Sequence, residues 1–152
     1  MVSVKAFFTA AAAAFLLLGV QVAQAADGHS TVGVAGYDLV SYHANPKPLR
    51  GNGHNVSVHD GVTYLFSSAE NKATFDADPA KFLPAYGGYC AFGVSVGKKF
   101  FGDPEVWRIV DERLYLNLDA KIQDLWLQDV PGKIATADEL WEQIEDTPAS
   151  EL

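Results

Sequence analysis

Cysteine is almost absent from this sequence, since Cys90 is the only one among 152 residues. A single cysteine cannot form an intrachain disulfide, and it excludes the Cys-x-x-Cys pairs of thiol–disulfide oxidoreductases and clustered zinc sites. The fold must therefore be stabilised by packing, for which the chain offers three tryptophans and six tyrosines.

Cations are also scarce. The chain has 11 Lys and Arg residues against 19 Asp and Glu residues, and its formal charge is -8. Nucleic-acid binding and attachment to anionic lipid both need clustered cations, so neither is predicted. The sequence also lacks a Gly-rich phosphate loop, a nucleophile elbow and a His-Glu-x-x-His motif, which leaves a conventional hydrolase unsupported.

Only one long apolar run occurs, at residues 6–20, between Lys5 and the small-x-small pattern Ala23-Gln24-Ala25. This arrangement is typical of a Sec-type signal peptide cleaved after Ala25. The alternative is a spanning anchor, but Gln21 interrupts the run before it reaches the roughly 20 residues that such a helix needs. The sequence therefore predicts a periplasmic or secreted protein with no stable membrane anchor after cleavage.

Removal of 25 residues from 152 leaves 127, which is the size of one ordinary domain. We expect a signal peptide at 1–25, a flexible leader at 26–32, a single domain at 33–145 and a polar tail at 146–152. No internal repeat is evident in the sequence.

Two β-hairpins are predicted. Residues 54–59 and 62–66 flank Asp60-Gly61, a strong signal for a two-residue turn. Residues 107–110 and 114–118 flank the three-residue loop 111–113.

Short helices are expected after each hairpin. Ser67 and Glu70 have the spacing of a capping box, with Ser67 as the N-cap. Asp119 can cap a second helix, and Thr136 with Glu139 predicts the start of the last one, after a turn at 130–133. The predicted fold class is α+β, a small single domain with short antiparallel hairpins packed against three or four short helices.

Four segments occur in the order of one known family: 36–42, 61–68, 75–82 and the most distinctive, 84–91, which contains Tyr-Gly-Gly-Tyr-Cys-Ala. On these segments the chain resembles a YHS domain, in particular the exported single-domain branch. The resemblance covers about residues 33–144. One departure is Glu112, at a position where the family pattern has glycine.

Short YHS domains are associated with heavy-metal transporters and metal reductases, and resemble small cysteine-based metal binders. The family's cysteine positions correspond here to Ser41, Ser67 and Asn71. Neutral hydroxyl and amide groups are poor substitutes for thiolate ligands. The resemblance therefore implies that the family's metal site is lost in this chain.

Cys90 is the main candidate for chemistry. The resemblance implies a functional position, because some members of the branch carry selenocysteine there. A lone thiol in an oxidising compartment is also unusual unless it is protected or used. The opposing interpretation is a buried cysteine packed among aromatics as a small apolar residue.

Two further sites are candidates. Cys90 with His43 and Asp38 would form a site for a transition-metal ion, although no ligand spacing supports it. A pocket for a small ligand is the second candidate, and the alternative is that its aromatics form the core. The candidate pocket residues are Tyr86, Gly87, Gly88, Tyr89 and Trp107.

Three functions remain open. The first is a periplasmic metal- or redox-related binding or accessory protein centred on Cys90. The second is a thiol-dependent redox enzyme using Cys90, and the third is a non-catalytic interaction module. Binding of a small ligand or metal ion is favoured over catalysis.

Overall fold

The structure is a computed structural model that describes residues 31–152. The predicted signal peptide and most of the predicted leader lie outside these residues. Within 31–152, no helix combines the length and apolar character needed to cross a membrane. Thr31 and Val32 already belong to the fold, because Thr31 O accepts a hydrogen bond from Thr63 N and Val32 forms a β-bridge to Thr63.

Two antiparallel hairpins and a set of short helices form an α+β fold, as predicted. The strands are β1 (Asn52–His59), β2 (Val62–Phe66), β3 (Asp103–Val110) and β4 (Arg113–Asn117). The helices are α1 (Ser41–Ala44), α2 (Ala69–Ala77), α3 (Pro79–Phe82), α4 (Ala91–Val94), α5 (Ala120–Trp126) and α6 (Val130–Ile144). The described residues thus hold more helices than predicted, because single turns such as α1 and α4 are too short to have a recognisable period.

Both hairpins close with two-residue turns. Asp60 and Gly61 have φ of 48° and 77°, which confirms the predicted first turn. The predicted three-residue loop of the second hairpin is wrong, because Arg113 already belongs to β4. Asp111 and Glu112 occupy the turn with φ of 48° and 62°, so two residues with side chains adopt the left-handed conformation that favours glycine.

Helix starts follow the predicted residue types more closely than the predicted positions. Asp119 caps α5 as expected, since its side chain accepts from Ile122 N at 2.9 Å. The cap of α2 is Ser68, which accepts from Asn71 N at 3.1 Å, and the prediction of Ser67 as the cap is wrong. Ser67 instead donates hydrogen bonds to the buried carboxylate of Asp38.

The last helix begins six residues earlier than predicted. Asp129 caps it by accepting from Gly132 N at 3.0 Å, and Pro131 lies in the first turn, where its missing N–H costs nothing. The predicted turn at 130–133 is therefore the first turn of α6. Thr136 donates to Gly132 O within the helix instead of capping it.

The same order of elements occurs twice, which corrects the expectation that the chain has no repeat. A left-handed turn, a helical turn, a hairpin and a helix span residues 33–77, and the same series spans 85–126. The spacing between equivalent residues is 51 or 52. The hairpin pair Asn52↔Phe66 is equivalent to Asp103↔Asn117, and the N-cap Ser68 to the N-cap Asp119.

Close contacts of glycine repeat in the same way. A Cβ on Gly51 would lie 2.2 Å from the carbonyl carbon of Leu65, and one on Gly102 would lie 2.5 Å from Cβ of Leu116. Gly51 N donates to Gly36 O at 2.9 Å, and Gly102 N donates to Gly88 O at 3.2 Å. Each half thus brings its left-handed turn against its own hairpin by the same contact.

The core is divided into two clusters. One lies around β2 and α2 and includes Phe66 and Phe75, and the other lies between β4, α5 and α6 and includes Tyr115 and Trp126. Phe75 and Trp126 occupy equivalent positions in the two halves, and each is almost completely buried.

Candidate functional site

Cys90 is completely buried at the start of α4. Its Sγ accepts a hydrogen bond from Gly93 N at 3.4 Å and donates to Asn117 Oδ1 at 3.8 Å. The thiol therefore caps a helical turn and packs in the interior, which agrees with the interpretation of Cys90 as a small buried residue.

Asn117 beside the thiol is also completely buried. Its Oδ1 accepts from Phe92 N at 3.4 Å as well as from Cys90, whereas its Nδ2 has no partner among the described residues. A buried donor without a partner costs about 1–3 kcal/mol and is rare in folded proteins. The packing around Cys90 therefore does not explain this amide.

Asp38 is completely buried, and its carboxylate accepts five hydrogen bonds. Oδ1 accepts from the backbone N–H groups of Val40 at 3.0 Å and Ser41 at 3.3 Å. Oδ2 accepts from Ser67 N at 2.9 Å, Ser67 Oγ at 2.5 Å and Asn71 Nδ2 at 2.7 Å.

The three positions that the resemblance assigns to lost cysteines therefore meet around one carboxylate. Ser41 Oγ donates to the backbone oxygen of Asp38 at 2.6 Å, and Ser67 and Asn71 bond its side chain. Hydroxyl and amide groups donate to a carboxylate but bind a metal ion weakly. The cluster is therefore chemically suited to hold the chain around Asp38.

His43 lies elsewhere in the first half. Its ring contacts Phe82 edge to face with centroids 5.4 Å apart, and its Nε2 is buried without a hydrogen-bond partner in the described part of the chain. Burial lowers the pKa of His43 below its usual value, the charge of Lys81 lowers it further, and Glu112 opposes them. The side chain therefore favours the neutral form.

His43, Asp38 and Cys90 do not assemble into a metal site. Across residues 31–152, no group of three or more His, Cys, Asp or Glu side chains is arranged to hold a metal ion. Cys90 is equivalent to Asp38 in the repeat, and each accepts a backbone N–H three residues ahead. The two residues therefore perform the same local task in separate halves of the fold.

The side chain of Tyr86 packs in the second core cluster, and its hydroxyl donates to Asp138 Oδ1 at 2.9 Å. Burial and this hydrogen bond raise the pKa of Tyr86 well above its usual value. Its backbone is left-handed, with φ of 55°. Tyr86 therefore packs in the core and is absent from the lining of the two cavities of about 580 Å³ and 520 Å³.

A cavity of about 580 Å³ lies between the left-handed turns of the two halves, and we name it the turn pocket. One wall is residues 31–35 and the other is 87–89, which includes the predicted pocket residues Gly87, Gly88 and Tyr89. The sequence did not predict the wall at residues 31–35 or the remaining lining residues, which are Val62, Tyr64, Pro84, Phe101, Gly102, Pro104 and Leu116. The fifth predicted residue, Trp107, lines a different cavity.

The lining of the turn pocket is apolar and aromatic, and it contains no charged side chain. Tyr89 and Phe101 stand at its edge with ring centroids 5.5 Å apart, and Phe101 is 80% exposed. A volume of this size and lining is typical of a site for a small organic molecule.

The wall formed by residues 31–35 carries backbone strain. Val34 and Ala35 have φ of 47° and 50°, and such a conformation costs about 1–2 kcal/mol for each residue with a Cβ. Val34 is β-branched, for which a positive φ is rare. Strain of this kind persists where the surrounding structure requires the shape, often at a binding site. The one sequence signal for this wall is the Gly36-Tyr37 pair, which repeats as Gly88-Tyr89.

Comparison of the chain with protein-family models, curated proteins and solved structures finds no match. The function is therefore inferred from the residues and geometry of this chain.

Proposed function

We propose that the chain is an exported, YHS-like binding protein that holds a small uncharged apolar or aromatic ligand in the turn pocket. The observation that carries the proposal is a 580 Å³ apolar cavity between two strained turns. Export is supported by the signal-like residues 1–25, and YHS character by the motifs of residues 36–91.

The chemistry of the walls selects the ligand. An ion would lose its hydration in a pocket whose lining carries no charge, and nothing there would replace it. Tyr64, Tyr89 and Phe101 instead offer aromatic faces, and contact between aromatic rings adds about 0.5–1.5 kcal/mol to the burial of apolar area. Gly87 and Gly88 leave the backbone uncovered, so a flat ligand can approach it closely.

Titration with p-cresol, a neutral aromatic probe, tests the proposal by ¹H–¹⁵N NMR. We expect saturable shifts confined to the amides of residues 31–35, 62–64 and 87–89. Phe101→Ala removes an aromatic edge and should weaken binding about threefold to tenfold, which corresponds to the energy of one aromatic contact. Phe100→Ala is the matched control, because Phe100 is an exposed aromatic that does not line the pocket. Shifts scattered over the surface, or equal effects of both variants, would contradict the proposal.

A second candidate is thiol chemistry at Cys90, and the unpartnered Asn117 Nδ2 is the observation that favours it. If Cys90 ionised, the amide could turn its N–H groups to the thiolate beside the Gly93 N–H that already contacts the sulfur. Such a thiolate would serve metal ligation or reversible oxidation, the two roles expected from the sequence.

Alkylation of the folded protein by iodoacetamide between pH 6 and pH 9 tests this candidate. A rate near that of a free thiol, with Cys90→Ser as the blank, supports it. A rate more than a hundredfold slower, together with native mass spectra that show no zinc or copper adduct, excludes it. Wild-type reactivity in an Asn117→Leu variant would show that the amide has no part in the chemistry.

A further inference from the structure

A second cavity of about 520 Å³ shares no lining residue with the turn pocket. We name it the Trp107 cavity. It is lined by Pro46, Lys47, Pro48, residues 105–108, Ala120 and Gln123. Its walls come from the loop after α1, from β3 and from the first turns of α5.

Two cations line the Trp107 cavity, although the chain as a whole is strongly acidic. Lys47 and Arg108 are exposed, and none of the ion pairs in residues 31–152 involves them. Arg108 Nη1 donates to Trp107 O at 3.2 Å, which leaves most of the guanidinium free to bind an acceptor.

One carboxylate also lines the cavity. Glu105 Oε1 accepts a hydrogen bond from Tyr37 Oη at 2.6 Å, which holds it toward the first half of the fold. The lining charges are therefore two positive and one negative. An anion entering this cavity meets a local excess of positive charge, whereas the chain carries -8 overall.

Three ring side chains also line the cavity, beside its polar groups. Trp107 is held by an edge-to-face contact with Tyr42 at 5.3 Å, and Gln123 Nε2 donates to Trp107 O at 3.2 Å. Pro46 and Pro48 add two more ring surfaces. A phosphate or another compact anion would leave these surfaces without a partner, whereas a planar ring with a carboxylate would use both the rings and the cations.

We propose that the Trp107 cavity is a binding site for a small aromatic carboxylate, with its ring against Trp107 and its carboxylate between Lys47 and Arg108. This site is distinct from the turn pocket, which lacks charge and selects neutral ligands. The two sites therefore differ in the class of molecule that each accepts.

Calorimetric and NMR titrations with benzoate, benzamide and acetate test the site. Benzoate should bind at least tenfold more tightly than benzamide, which has the ring but no charge, and than acetate, which has the charge but no ring. Shifts should appear at residues 46–48 and 105–108 and not at 87–89.

Arg108→Gln should weaken benzoate binding about tenfold and leave benzamide binding unchanged. Lys98→Gln is the matched control, because Lys98 is an exposed cation outside the cavity, and it should keep the wild-type affinity. Circular dichroism confirms that each variant is folded. Equal affinity for benzoate and benzamide, affinity for acetate equal to that for benzoate, or an Arg108→Gln protein that binds benzoate normally would overturn the proposal. Loss of p-cresol binding at the turn pocket would leave these outcomes unaffected.

Discussion

Removal of the Asp38 carboxylate should be one of the most destabilising single substitutions in this fold. The side chain is completely buried and accepts hydrogen bonds from five donors. In Asp38→Ala, the side chains of Ser67 and Asn71 can turn to water, because both residues are only partly buried. The buried backbone N–H of Val40 cannot, whereas Ser41 N keeps its hydrogen bond to the backbone oxygen of residue 38 at 3.1 Å.

One buried N–H group without an acceptor costs about 1–3 kcal/mol, and the loss of the hydrogen bonds from Ser67 and Asn71 to a charged group adds to this cost. We therefore expect Asp38→Ala to lower the free energy of unfolding by about 3 kcal/mol, or the melting temperature by roughly 12 °C. Asp38→Asn retains one acceptor oxygen and should lose about 2 kcal/mol, because its NH₂ group faces other donors.

Urea unfolding followed by tryptophan fluorescence measures these differences. Asp124→Ala is the matched control, because Asp124 is exposed on α5, and its change should stay within about 0.5 kcal/mol. If Asp38→Ala lost less than about 1 kcal/mol, the hydrogen bonds would not be the main stabilising interaction of this cluster, and the reasoning would fail.

Three further predictions concern turns, pH and a buried cation. Glu112→Gly should raise the free energy of unfolding by about 1 kcal/mol, and Gly61→Ala at the equivalent turn position should lower it by about as much, both measured in urea. Stability should fall below pH 6.5, because the lowered pKa of His43 in the folded protein means that the unfolded chain binds the proton more tightly. In thermal melts, His43→Gln but not His54→Gln should reduce the dependence of the melting temperature on pH. Lys99→Met should cost about 1–3 kcal/mol by calorimetry, because Lys99 is buried and Nζ donates to two carbonyl groups at the end of α6. The turn prediction would be contradicted by stability changes of the opposite sign, and the pH prediction by an unchanged pH dependence in His43→Gln. The prediction for Lys99→Met would be contradicted by an unchanged melting temperature.

Local signals in the sequence predicted the features that depend on neighbouring residues. The turn at Asp60-Gly61 and the cap at Asp119 follow from side-chain geometry within four residues. The start of α6 was missed because Pro131-Gly132 is typical of turns, yet a proline also fits the first turn of a helix when a cap such as Asp129 precedes it.

Contacts between distant residues could not be predicted in this way. Asn71 is 33 residues from Asp38 and Asn117 is 27 from Cys90, so no spacing pattern connects them. The turn pocket shows the same limit. Gly87 and Gly88 were expected to line it, but the opposite wall is about 50 residues away and its left-handed Val34 has no glycine to signal it.

The duplicated plan of the fold bears on the order in which the chain assembles. In each half, a side-chain hydrogen bond joins residues about 30 apart in the sequence, Asp38 with Asn71 and Cys90 with Asn117. Closing two such loops costs less chain entropy at each step than joining distant ends, and local contacts favour rapid folding. We therefore expect the halves to act as two folding units. Amide exchange should divide between them, with the α6 end of the chain and the aspartate cluster opening as separate events.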